Sequence, residues 1–228
     1  MASGAPLTMF TFGILSTIIA TVLQLSARAA GIALLPGILK MTASTGFLIT
    51  ALSAGALRSR VGIALLVGLV FSWFGDLFLI GSGASYFLAG LVSFFIGHVC
   101  YSVAFVLHKT RLPLAGAALA VLLIPGILLS RWILPHVTDP GMRAPVIAYT
   151  CVITIMLALA VGCYPRPGGR WIVAGAFLFY LSDICVARGA FVAPGFINSL
   201  IGLPLYFGGQ LLLAVSIAHL QGPSRRAE

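Results

Sequence analysis

The chain has 228 residues, of which 61% are hydrophobic and 7% charged, with 13 basic and 4 acidic side chains and a net charge of +9. Soluble domains carry about 25% charged residues, and a globule of this size could not cover its surface with so few. The composition excludes a soluble enzyme, a nucleic-acid binder and a disordered chain, and leaves an all-α, polytopic membrane protein.

A membrane-spanning helix needs about 20 mostly apolar residues. Eight such runs follow one another, at 7–27, 34–57, 61–80, 86–107, 112–130, 144–163, 171–187 and 198–220. They make a single transmembrane domain, 1–228, with short loops and no inserted soluble unit. The first run has no basic segment before it, so no cleaved signal peptide is expected. The segment Gln221 to Glu228 is polar and is expected to fray. The runs are too long and too continuously apolar for barrel strands, and a helix satisfies its own backbone in lipid.

The basic residues stand singly or in pairs between the runs, which fits membrane loops rather than a nucleic-acid patch. Arg58, Arg60, Lys109, Arg111, Arg166, Arg170, Arg225 and Arg226 fall on one side. Arg28, Lys40, Arg131, Arg143 and Arg188 fall on the other. The bias predicts both termini in the cytoplasm, with a bacterial plasma membrane as the expected location. Cys100, Cys151, Cys163 and Cys185 lie in or beside apolar runs without metal or disulfide spacing, and read as packing residues.

Residues 90–105 align with 202–217, matching Gly90, Leu91, Phe95, Gly97 and Val103 to Gly202, Leu203, Phe207, Gly209 and Val215. The helices before them pair Phe71–Asp76 with Leu178–Asp183. A parallel repeat of four helices plus four would explain this, as would chance similarity between Gly- and Leu-rich helices.

Of the four acids, Asp139 lies in a Pro-rich loop and Glu228 at the end of the chain. Asp76 and Asp183 lie inside apolar runs, where an ionisable group marks a functional site by default. Each stands four residues from the end of its run, about 6 Å below the same membrane face. Two carboxyl groups sharing a cavity can divide into an acid and a base. The alternative is a structural pair, held by Ser72, Ser182 or Arg188, which two acids at one depth make the weaker reading. Lys40, near the start of the second run, could bind phosphate, pair with an aspartate or snorkel to the interface. His98 and Tyr101 share one face of the fourth helix. Tyr206 and Gln210 do so on the eighth. No Gly-rich phosphate loop, GxSxG elbow, HExxH or metal-spaced His/Cys cluster occurs.

The ordered motifs Leu39-Lys40-Met41-Thr42, Phe71-Ser-Trp-Phe-Gly-Asp76, Gly97-His98-Val-Cys-Tyr101, Leu178-Phe-Tyr-Leu-Ser-Asp183 and Tyr206-Phe-Gly-Gly-Gln210 resemble those of the YhhN-like lysoplasmalogenase family. The resemblance runs from the second helix to the eighth. Met41 departs from it, since the family usually has a proline beside the lysine. The resemblance implies an eight-helix ether hydrolase that cleaves the vinyl ether of a lysophospholipid among membrane lipids, without metal or other cofactor. It makes Asp76 and Asp183 the catalytic pair. Lys40, His98, Tyr101, Tyr206 and Gln210 become lining residues, with Arg188 a further substrate-binding candidate. A proton-coupled transporter or lipid-binding protein using the same aspartates is the alternative. An intramembrane aspartyl protease is a third, although its Tyr-Asp and Gly-x-Gly-Asp motifs are missing.

Overall fold

A computed structural model describes residues 5–220. The polar segment from Gln221, with Arg225 and Arg226, lies outside the described residues. Eight helices run through the described chain: α1 Ala5–Ala29, α2 Leu35–Ser53, α3 Arg60–Phe78, α4 Ala84–Leu107, α5 Leu112–Ile133, α6 Pro140–Gly162, α7 Gly169–Ala187 and α8 Phe196–Ser216. All eight include stretches long and apolar enough to cross a membrane. The protein is a multi-pass membrane helix bundle.

The helix ends differ from the expected ones for local reasons. α2 stops at Ser53 because Gly55 takes φ 85°, a left-handed conformation, and a 3₁₀ turn, Ala56–Arg58, follows. α6 begins at Pro140, because Asp139 is its N-cap rather than a loop residue: its Oδ1 accepts from Gly141 N at 2.8 Å. Proline suits the first helical position, where an N–H would go unused. After Ala187 the last turn of α7 widens over Arg188–Val192, with Ala193 N donating to Arg188 O at 2.8 Å. Such i to i+5 turns recur at functional sites.

Successive helices pack as antiparallel pairs, α1 with α2, α3 with α4, α5 with α6 and α7 with α8. Further contacts join α2 to α3, α6 to α7, α4 to α6 and α2 to α8. The core includes Phe47, Leu65, Leu69, Phe105, Phe179 and Phe207. Large apolar side chains such as Phe12, Ile38, Val121, Leu128 and Ile155 are exposed on the outside. Polar residues lie within instead: Ser44, Asp76, His98 and Gln210 are all fully or almost fully buried. Lipid supplies little hydrophobic drive between helices, so packing and buried hydrogen bonds carry more of the association.

Candidate functional site

A cavity of about 450 Å³, a size suited to a small organic ligand, opens among the helices at the end of the bundle where the two aspartates lie. Asp76, Asp183, Lys40 and Tyr206 line it, with apolar walls that include Leu91, Phe94 and Ile153. Asp76 stands two residues before the end of α3 and Asp183 four before the end of α7.

Three side chains converge on Asp76. Lys40 Nζ lies 3.1 Å from Oδ1. Ser44 Oγ and Tyr206 OH each donate to Oδ2 at 2.6 Å. Lys40 and Ser44 are one helical turn apart, so α2 presents both to the same carboxylate. The ion pair is almost wholly buried, with side-chain exposures of 9% and 1%. Such a pair survives burial only when hydrogen bonds complete it, as they do here. The hydroxyls named in the sequence reading have other partners. Ser72 bonds Gly68 O and Tyr101 OH, and Ser182 bonds Phe179 O.

Asp183 has a different setting. Its side chain is 16% exposed. Tyr149 OH donates to its Oδ2 at 2.8 Å. His98 Nε2 lies 3.0 Å from the Tyr149 oxygen and 3.4 Å from Asp183 Oδ2. Because Tyr149 gives its proton to Asp183, His98 is the donor to the Tyr149 oxygen, which assigns the Nε2–H tautomer. His98 Nδ1 is buried without a hydrogen-bond partner.

The two clusters meet at Phe179, whose ring centroid lies 4.6 Å from that of His98 and 5.3 Å from that of Tyr206. Behind them, Tyr101 OH donates to Gln210 Oε1 at 2.7 Å, tying α4 to α8. His98, Tyr101 and Gln210 therefore support the cavity wall without lining the cavity. Arg188 does not line it either: its Nη1 donates to Asn198 Oδ1 at 2.6 Å.

Several contributors escaped the sequence reading. Tyr149, on α6, had no motif around it. Ser44 carried a findable signal, its spacing of four from Lys40. Arg28, Asn198 and Ser199 line one edge of the cavity, and no motif in the sequence marks them. Chemically, the site sets an ion-paired carboxylate on one wall and a partly exposed carboxyl, backed by Tyr149 and His98, on another. That arrangement can offer a proton and oppose a positive charge within one apolar-walled space.

Comparison with known proteins follows the same residues. The YhhN family model matches residues 38–217. Lysoplasmalogenase TMEM86A from Bos taurus is 29% identical over 184 residues, covering 78% of this chain and 71% of that protein. Lysoplasmalogenase TMEM86B from Homo sapiens is 35% identical over 150 residues, covering 65% of this chain and 60% of that protein. Lysoplasmalogenase TMEM86A from Homo sapiens is 29% identical over 163 residues, covering 69% and 66% respectively. No solved structure matches the chain. The family match takes in Lys40, Asp76, His98, Tyr149, Asp183 and Tyr206 together, and the chain belongs to the YhhN family.

Proposed function

We propose that the protein hydrolyses the vinyl ether bond of a lysoplasmalogen, releasing a fatty aldehyde and glycerophosphoethanolamine or glycerophosphocholine. The observation that carries this reading is the pair of carboxyl groups on one apolar-walled cavity, each in a different hydrogen-bonding environment. The relatives named lysoplasmalogenases support the same chemistry.

A vinyl ether breaks when its β-carbon takes a proton, leaving an oxocarbenium ion at the α-carbon. Water adds to that ion, and the hemiacetal collapses to aldehyde and alcohol. One water is consumed and no electron is transferred. Asp183 is the proton donor in this scheme: it is partly exposed, and the run His98, Tyr149, Asp183 offers a path for its reprotonation. Asp76 is the opposing carboxylate, charged against Lys40, which stabilises the cation and takes a proton from the attacking water. Glycosidases meet a similar cation with two carboxyl groups. The scheme uses no metal, so a chelator should leave turnover intact.

Purified protein in detergent, without a proton gradient, should release aldehyde from lysoplasmalogen. A transporter using the same aspartates would release none. D183N should abolish turnover while keeping the melting temperature. D76N alone leaves the Lys40 ammonium buried against a neutral amide, so it is combined with K40M to restore charge balance. The double variant should fold and be inactive. Turnover retained in either protein would overturn the acid–base pair.

A further inference from the structure

Arg28 stands in the last turn of α1 and lines the cavity. Its Nη1 donates to Ser199 Oγ at 3.3 Å. The other lysine or arginine lining the cavity is Lys40, which Asp76 already neutralises. Among the described residues, no carboxylate lies within ion-pair distance of Arg28. One edge of the cavity thus carries a guanidinium with no carboxylate paired to it.

The surroundings of Arg28 add to this positive edge. Ser199 and Asn198 belong to the first turn of the 21-residue helix α8, which begins at Phe196. Asn198 is fully used in building that turn: its Nδ2 donates to Ala193 O and Gly195 O, and its Oδ1 accepts from Arg188. A second guanidinium is thereby fixed beside the same helix start. The N-terminal end of a long helix favours anions through its dipole and its free N–H groups. A guanidinium adds a planar fork of donors matched to phosphate oxygens.

We propose that Arg28, with Ser199 and the first turn of α8, holds the phosphate of a single-chain phospholipid at the edge of the cavity. The assignment rests on the vinyl ether reading for its substrate, and the spacing along α8 supports it. Ser199 and Tyr206 are seven residues apart, which is about 10 Å of helix rise. In a lysoplasmalogen, seven bonds separate the phosphorus from the vinyl carbon that is protonated. An extended chain advances about 3.5 Å per three bonds, so this span is about 8 Å. A phosphate on Arg28 and Ser199 therefore lets the vinyl ether reach about the depth of Tyr206 on α8, in the cavity that Asp76 and Asp183 both line. The hydrocarbon tail is left to the apolar walls.

The test is a binding comparison on the detergent-purified full chain, so that it does not depend on turnover. The probes are acyl lysophosphatidylcholine, below its micelle concentration, and the monoacylglycerol of the same chain length, which lacks the phosphate. The parent should prefer the phospholipid by about tenfold or more, the scale of one charged hydrogen-bonding contact. R28Q should lose that preference by binding the phospholipid more weakly, with monoacylglycerol binding unchanged. R28K and S199A should lose it in part, and they carry the test if R28Q does not purify. An unchanged preference in these variants would overturn the proposal. So would equal weakening for both lipids, the mark of a structural arginine. Inorganic phosphate binding as tightly as the lysophospholipid would reassign the site to the free ion and overturn the lipid assignment. If lysophospholipid binding depends on Arg28 but no aldehyde is ever formed, the vinyl ether reading fails and the phosphate site stands.

Discussion

The acid with the clearest link to a third residue is Asp183, and that residue is Tyr149. Its hydroxyl donates to Asp183 and accepts from His98, so one oxygen atom joins the carboxyl to the imidazole. Y149F deletes that oxygen with little change in volume. It should lower kcat by about tenfold to a thousandfold, within the range that positioned proton transfer contributes, and should shift the melting temperature far less than loss of a core aromatic would. Steady-state kinetics and thermal unfolding of the purified variant check both halves. Unchanged kcat would remove Tyr149 from the proton path and leave His98 only its direct approach to Asp183. The two aspartates were legible in the sequence as candidates, because a carboxyl inside an apolar run is costly to bury. Lys40 was legible as a charge close to the same face. Tyr149 was not, since a tyrosine in an apolar helix has the same sequence signature whether it packs, anchors an interface or binds an acid. The direction of Arg188 was not legible either. Sequence placed it five residues after Asp183, but it begins the widened turn after α7 and its guanidinium is taken by Asn198.

Between elements, the site depends on how closely α7 and α8 approach. A Cβ on Gly209 would lie 2.8 Å from Gly175 O and 3.0 Å from Phe179 N, both backbone atoms that cannot swing away. G209A should therefore force the helices apart, lower the melting temperature by several degrees and weaken activity by moving Tyr206 away from Asp76. G208A is the control: its Cβ would meet only Leu178 Cδ1, at an ordinary 3.6 Å. A melting temperature as high in G209A as in G208A would contradict the close approach. The same contact bears on internal symmetry. The separate pairing of Phe71–Asp76 with Leu178–Asp183, extended back by three residues, carries Gly68 onto Gly175, and a Cβ on Gly97 would lie 3.1 Å from Gly68 O. Each aspartate, moreover, is bonded by one helix of its own half and approached by one of the other: Asp76 by α2 and α8, Asp183 by α6 and α4. These matches support the four-plus-four repeat as our reading of the bundle. The helices themselves were legible from run length alone. Their ends were less so, because Gly55 and Asp139 act through turn and cap geometry that hydropathy does not register.

For the whole molecule, the two membrane faces are built differently. At the face away from the aspartates, the loops after α4 and α6 are bonded together: Arg166 Nε donates to Lys109 O at 2.9 Å, Arg111 N to Gly162 O at 2.9 Å, and His108 Nε2 to Pro167 O at 2.8 Å. Burial pushes His108 below its ordinary pKa, with the bond to Pro167 O working against that shift. The cavity lies at the other face, edged by the exposed Arg28. Because the basic loop residues favour the bonded face, we propose that this face is cytoplasmic and that the cavity opens outward. Leu34 and Leu57 report on the two faces, one in the loop after α1 and the other in the loop after α2, at 82% and 67% exposure. In a background with Cys100, Cys151, Cys163 and Cys185 replaced, L34C should react with a membrane-impermeant maleimide added to intact cells. L57C should react only after the membrane is permeabilised. The reverse pattern would turn the cavity to the cytoplasm and leave the chemistry of Asp76 and Asp183 untouched. Labelling of both positions from outside would contradict a helix α2 that crosses the bilayer.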